Sequence, residues 1–349
     1  MKRMNQTKIK YLENIKVIFL SVVMFGLLLL NSCKPSETKN TIAVVESSDM
    51  VYPLLDTENS RWFFFSSASR PFGMVNLSPD TQVGGAWGSG YRYKTDTIKG
   101  FSHIHAWQLS GLSVMPVTIN NGNKKTIYKD FYSKFNHDTE KVSPGYHNVF
   151  LDRYKTKVEL TSTKRVGFHR YNFLEEKEKA ILFNLNGKLG PCDITGGKLV
   201  KIGDYELSGE LVNAPTFRRP KPTKVFFSIK LNTKIETITR DDETGNFLIN
   251  LSDKESEVLM KVGISYTSVK NASLNMKTEL DHWDFEKVKK ESRTEWNNML
   301  GRIKVEGNSE TAQRRFYTDL WHGLQGRRTI SDVNGAYPDN TGDTLRIGQ

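Results

Sequence analysis

The sequence predicts a mainly β protein: one large antiparallel β-sandwich, then helices that open a second domain. Three observations carry this. From about residue 50 to 268, apolar and polar residues alternate with period two in many short runs, the signature of half-buried strands. Turn residues such as Asn186-Gly187 and Thr244-Gly245 separate the runs, with no helical pattern between them, as expected where antiparallel strands follow one another. After residue 268 the period lengthens to that of an amphipathic helix. The length of 349 residues suffices to bury a core without disulfide staples. A hydrophobic fraction of 37% against 26% charged, with 11 Pro, excludes a disordered chain and a multi-span membrane protein.

Residues 1–33 read as an address. Lys8, Lys10 and Lys16 precede an uncharged stretch at 17–30, fourteen residues long. A bilayer span needs about 20, so the stretch suits the apolar core of a signal peptide. Leu30-Asn31-Ser32-Cys33 then resembles the lipobox of bacterial lipoproteins, which implies lipid on Cys33 and a protein exported to the periplasm or outer membrane. Residues 34–49 read as a polar tether. Of the net +11, +4 sits in residues 1–32, and the remaining +7 is scattered without a basic run. A nucleic-acid footprint needs clustering on one face, so no nucleic-acid partner is expected. With Cys33 lipidated, Cys192 has no disulfide partner, and no Cys-x-x-Cys motif exists.

The sandwich is expected over 50–268. Val225, Phe227, Ile229 and Leu231 alternate with Ser228, Lys230 and Asn232; Val258, Met260, Val262, Ile264 and Tyr266 alternate with Lys261, Gly263 and Ser265. Shorter runs lie at 146–151, 157–162, 166–173, 180–186, 204–212 and 246–251. A linker helix is expected within 269–308, from about 282 to 300, capped by Asp281 or Asp284, with Phe285, Val288, Trp296, Met299, Leu300 and Ile303 on its apolar side. A second helix runs from a Ser309 cap to about Leu324, with Ala312, Phe316, Leu320 and Leu324 at a spacing of four. Residues 309–349 thus begin a further helical domain.

The densest cluster of unusual residues lies between 70 and 116. Trp87 sits between Gly85-Ala86 and Gly88-Ser89-Gly90, where a flat, low-entropy ring suits stacking against the apolar face of a sugar; packing onto the sandwich end is the alternative. His103 and His105 share a strand face, but a metal would need a third ligand, and His137, His147 and His169 have no supporting spacing, so hydrogen bonding is the expected role and no metal ligand is assigned. Trp107 and Gln108 suit hydroxyl recognition or ordinary packing. The oxygen-rich 331–343 stretch lacks the ligand pattern of an EF-hand and reads as an Asx-rich turn. Asp332, Asp339 and Asp343 are carboxylates that would run glycoside hydrolysis only if paired in space. No Gly-x-Ser-x-Gly elbow, phosphate loop or dinucleotide fingerprint occurs.

Several separated motifs, in order, make the chain resemble the N-terminal part of glycoside hydrolase family 92, exported bacterial α-mannosidases. They are Pro71-Phe72-Gly73-Met74-Val75, Leu77-Ser78-Pro79-Asp80-Thr81, Gly90-Tyr91-Arg92-Tyr93 and Ile98-Lys99-Gly100-Phe101-Ser102-His103. Further along come Ser143-Pro144-Gly145-Tyr146, Glu159-Leu160-Thr161 with Arg165, Gly167-Phe168-His169-Arg170-Tyr171, Phe316-Tyr317-Thr318-Asp319-Leu320-Trp321-His322 and Asp332-Val333-Asn334-Gly335. The resemblance implies an N-terminal β-sandwich, a helical linker and an (α/α)6 barrel, here represented only by its start. It implies calcium-dependent, inverting removal of terminal α-mannosides, with the acid, the base and most calcium ligands in the barrel. No catalytic residue is therefore assigned to this chain, which is expected to be inactive alone. Trp87 and Asp332, and less directly His103, match substrate-contacting positions. The sequence departs from the family after the Phe-Ser-His stretch, where His105-Ala106-Trp107-Gln108-Leu109-Ser110-Gly111 replaces a Gly-Thr-Gly-Cys pattern. That puts the preferred linkage in doubt. A stand-alone glycan-binding surface lipoprotein, stacking sugars on Trp87 and Trp107, is the competing reading.

Overall fold

A computed structural model of the chain describes residues 45–58, 65, 67–84, 90–106, 108–252 and 255–348, which lie in one compact unit, Val45–Gln349. Residues 1–44 with Cys33, and the tips carrying Trp87 and Trp107, lie outside the described residues.

Two antiparallel sheets face each other. One has six strands in the order β1 (Ser78–Asp80), β3 (Gly100–His105), β4 (Ser110–Ile119), β10 (Glu178–Asn184), β16 (Phe247–Leu251) and β15 (Ile235–Arg240). The other has nine: β11 (Lys188–Leu189), β12 (Cys192–Gly203), β13 (Glu206–Asn213), β14 (Thr223–Leu231), β17 (Glu257–Ser265), β9 (Val166–Phe173), β8 (Thr156–Ser162), β7 (Tyr146–Leu151) and β6 (Lys141–Ser143). The short pairs β2 (Thr97–Ile98) with β5 (Ser133–Lys134), and β18 (Ala336–Pro338) with β19 (Thr344–Arg346), complete the described strands.

Register explains the core. Phe227 opposes Ile264 and Ile229 opposes Val262, so the alternating apolar residues of β14 and β17 fall on one face. There they meet Val114, Leu182 and Ile249 of the six-stranded sheet in a single cluster. The expected alternation breaks down where both faces of a strand are covered. All ten residues of β4 are buried, and so is β17 after Glu257.

The cover over β17 is helix α1 (Val269–Glu279), capped by Ser268, whose side chain accepts from the Asn271 N–H. Leu259, Val166 and Phe168 pack outward against Met276 and Leu280. The approach is so close that a Cβ on Gly263 would stand 2.5 Å from the Ala272 carbonyl oxygen, so only glycine fits. This helix was not anticipated, because Val269–Glu279 is mostly polar and buries only Ala272, Asn275 and Met276.

Helix α2 (Phe285–Leu300) starts at the Asp284 cap, three residues later than expected, and helix α3 (Glu310–Gln325) at Ser309. The buried face of α2 is Phe285, Val288, Ser292, Trp296 and Leu300, whereas Ile303 lies beyond the helix and exposed. On α3 the anticipated stripe is off by one residue. Tyr317, Thr318, Trp321, His322 and Gln325 are buried, Phe316, Leu320 and Leu324 are half-buried beside them, and Ala312 is exposed. The large rings decide the rotation: Trp321 packs edge-on to Trp296 and Phe65, burying more area than the aliphatic stripe would. These rings, with Tyr91, Tyr317, Leu300 and Val51, form a second core that seals the helices onto the sandwich.

Candidate functional site in the seam between sandwich and helices

The seam gathers the polar groups. At the end of β3, His105 Nδ1 donates to the Asn76 carbonyl (2.6 Å) and Nε2 lies 2.8 Å from Asp80 Oδ1. The other carboxylate oxygen of Asp80 accepts from the Ser102 hydroxyl. All three are buried. A Ser-His-Asp set is present by composition but not by connectivity. A nucleophile must touch the base, whereas here the carboxylate sits between serine and histidine.

The Asp80–His105 pair instead supports the loop that carries Trp87. Gly90 has φ +71, and a Cβ there would stand 2.2 Å from Asp80 Oδ1. The Gly90 carbonyl accepts from both Thr81 and Gln82 N–H groups (2.8 Å each). The chain on the two sides of residues 85–89 is therefore pinned together beside the buried Asp80–His105 pair. Arg328, just after α3, donates to the His105 carbonyl. Burial draws its pKa down to about 10, against the opposing pull of Tyr266.

Beside Tyr266, Ser265 and Thr267 donate their hydroxyls to Asp332 Oδ2 (2.9 and 2.6 Å), and Asn275 donates to Oδ1 (2.7 Å). Asp332 is thus buried and held to the end of β17 and to α1. In this arrangement it also fastens the 331–336 turn, its N–H donating to the Ala336 carbonyl and its carbonyl accepting from the Gly335 N–H. Asp339 and Asp343 converge elsewhere: the Thr341 hydroxyl donates to Asp339 (2.6 Å) and lies 3.1 Å from Asp343. Hydrogen bonds from Thr341 and the following backbone lower the Asp339 pKa.

His103, expected to touch substrate, is wholly enclosed. Its Nδ1 donates to the Leu112 carbonyl (2.7 Å), which leaves Nε2 to accept from His169 Nε2 (2.8 Å). His169 Nδ1 then accepts from the Tyr171 hydroxyl (2.9 Å). Burial drives the His103 pKa down to about 4 and that of His169 well below its ordinary value. Both rings are neutral at pH 7. Cys192 is buried and unpaired, and burial raises its pKa.

Sequence reasoning missed a cluster under the second core. Glu140, fully buried, accepts from the Tyr91 hydroxyl (2.9 and 3.0 Å) and from His137 Nδ1 (2.7 Å). His147 Nε2 lies 2.9 Å away but out of hydrogen-bond alignment, while its Nδ1 contacts Ser67 Oγ at 2.7 Å. Burial pushes the Glu140 pKa up, yet His147, His137 and Tyr91 together outweigh it and hold the carboxyl below its usual range. The local signal is only the i,i+3 spacing of His137 and Glu140; the other partners are distant in sequence.

Among the described residues, no group of three or more His, Cys, Asp or Glu side chains is arranged to hold a metal ion. No described helix is long and apolar enough to cross a membrane.

Comparison with known proteins gives a consistent family. Residues 50–278 match the model of the glycosyl hydrolase family 92 N-terminal domain, and residues 271–346 that of the family's catalytic domain. An uncharacterized secreted glycosidase of Arthroderma benhamiae is 23% identical over 310 residues, covering 74% of this chain and 39% of that protein. A family GH92 α-mannosidase from Bacteroides thetaiotaomicron has 23% identity and a TM-score of 0.73, covering 87% of this chain and 44% of its own. Another GH92 family glycosyl hydrolase superposes with a TM-score of 0.75 at 20% identity, with the same coverage. The likeness to these structures is one of fold. The chain spans less than half the length of each of these relatives.

Proposed function

The chain belongs to glycosyl hydrolase family 92, and from that premise we propose that it supplies the β-sandwich and first helices of an exported mannosidase that removes terminal α-mannosides with inversion. The observation that carries the reading is the matching of both family models in order along 50–346. The hydrogen bonds of Thr81 and Gln82 to the Gly90 carbonyl, on either side of residues 85–89, support that reading. Trp87 is the proposed stacking platform for mannose. His103 and Asp332 serve the same pocket by fixing the frame around it, His103 inside the sandwich and Asp332 at the turn.

Inversion requires one carboxylic acid and one carboxylate separated by room for water. By the family resemblance, the acid, the base and most calcium ligands are proposed to belong to the helical barrel of which this chain carries the start. Export, with lipid on Cys33 holding the protein at the periplasmic or outer membrane, follows from the leader. A second reading is a surface lipoprotein that binds glycans on Trp87 and Trp107 without cleaving them.

Titrating the full chain with α-mannobiose tests what the two readings share, a sugar site at Trp87 on a chain that does not cleave. Saturable binding weakened by Trp87→Ala, with no mannose released, is expected. Mannose release by this chain alone would place an acid/base pair within it and overturn the assignment.

A further inference from the structure

A hollow of mixed lining lies away from the seam, between the β12–β13 turn, the end of β14 and the α1–α2 corner. Its volume is about 520 Å³, and its lining includes Asp204, Tyr205, Glu206, Lys230, Asn232 and Trp283. We propose that this hollow is a binding site for a neutral saccharide of one or two units, separate from the site proposed at Trp87.

Four features point to that ligand. First, Trp283 is a fixed platform. The ammonium of buried Lys261 sits 3.9 Å from the ring centroid, and Lys261 is held there by donating to the Leu280 carbonyl (3.1 Å). The Phe168 ring packs at 6.3 Å. A ring immobilised from below can stack on a sugar without losing rotamer entropy on binding.

Second, the rim is charge-balanced. Glu206 and Lys230 pair at 2.9 Å, and Asp204 lies 3.5 Å from Lys201. A strongly charged ligand would find no net complement, whereas a polyol finds donors and acceptors side by side.

Third, Asn232 is oriented. Its Oδ1 accepts from the Leu259 N–H (2.7 Å), which leaves its Nδ2 as a directed donor at an exposed position. Fourth, the turn is rigid where it matters. The Leu231 N–H donates to the Tyr205 carbonyl and the Ile235 N–H to that of Asp204, so the Tyr205 ring, 47% exposed, stands on fixed backbone. An exposed aromatic on a rigid turn beside an oriented amide is the composition that recognises sugar hydroxyls and C–H faces together.

The test labels tryptophan with 15N in the full chain and follows the six indole N–H signals during titration with α-mannobiose. The Trp283 signal, assigned by its loss in Trp283→Phe, is expected to shift saturably, with a dissociation constant in roughly the millimolar range. Asn232→Ala and Tyr205→Ala should each weaken that shift about tenfold or more; Tyr205→Ala should do so without moving the unfolding midpoint, whereas Asn232→Ala also removes the acceptor of the Leu259 N–H and should lower it. The proposal is overturned if the Trp283 signal stays still up to about 50 mM, a concentration that would detect even binding worth less than 2 kcal/mol. It is also overturned if the signal shifts equally with glycerol, or if both variants respond as the parent does. The Trp87 signal reports the mannosidase reading separately, so either can fail while the other stands.

Discussion

Two regions of this molecule bury histidines and treat them in opposite ways. In the middle of the sandwich, Tyr171, His169 and His103 form a one-way chain of donors ending on the Leu112 carbonyl, with no carboxylate in it. Burial wins, and the rings stay neutral. Under the second core, Glu140 collects Tyr91, His137 and His147. Both nitrogens of His137 lie within hydrogen-bond distance of oxygens, Glu140 Oε2 and the Tyr93 carbonyl. What separates the regions is one acid. Without it, desolvation selects the uncharged form; with it, mutual attraction holds charge in a dry place.

Breaking the acid should therefore have the largest effect. Glu140→Ala leaves the Tyr91 hydroxyl and two imidazoles facing a void and should cost about 3–5 kcal/mol, the range for uncoupling a buried ionic cluster. Chemical denaturation would measure it, and a loss near 0.5 kcal/mol would mean that water replaces the carboxylate. In the neutral chain, His169→Leu removes the acceptor of the Tyr171 hydroxyl and the donor to His103, at about 1–3 kcal/mol per stranded group. Tyr171→Phe should cost less, about 1 kcal/mol, since it removes only the end of the chain.

Acid titration separates the regions further. For His103 the folded pKa, about 4, is below the ordinary value of 6.5. The unfolded state therefore binds more protons between these values, so the contribution is full above pH 6.5 and is lost as pH falls toward 4. Glu140 also has a lowered folded pKa, against an ordinary value of 4.5. Its contribution is full above pH 4.5 and is lost only at lower pH. Unfolding free energy followed by urea titration should decline in these two stages. Replacing both His103 and His169 by Leu should flatten the upper stage alone. The smallest effect belongs to the exposed turn: Asp339→Asn keeps an acceptor for the same backbone N–H groups and should leave the unfolding midpoint unchanged.

The sequence made the neutral region more legible than the charged one. Strands such as Thr223–Leu231 and Glu257–Ser265 announce themselves because one inner face is apolar and period two is local. Ser110–Ile119 escaped that test because it is buried throughout, and Val269–Glu279 because a helix covering a sheet with one alanine and one methionine has little apolar signal. The buried face of α3 was misjudged by one residue because spacing counts aliphatics, whereas packing followed Tyr317 and Trp321. Glu140 was invisible for a different reason. Its partners, Tyr91 and His147, are brought to it only by the fold. Asp332 was singled out, but its hold on Ser265, Thr267 and Asn275 spans more than fifty residues and has no local pattern.

The long-range fasteners have a consequence for how anything enters the seam. Arg70 donates to the Ser162 and Val288 carbonyls and pairs with Glu295 at 2.6 Å. Arg165 donates to the Ser331 carbonyl while paired with Glu279, and Asp332 closes the same circuit onto α1. Buried or half-buried, these bonds would all have to break together for the helices to swing away from the sheets. Swinging the helices from the sheets therefore costs the sum of these bonds, whereas a surface loop can move at far lower cost.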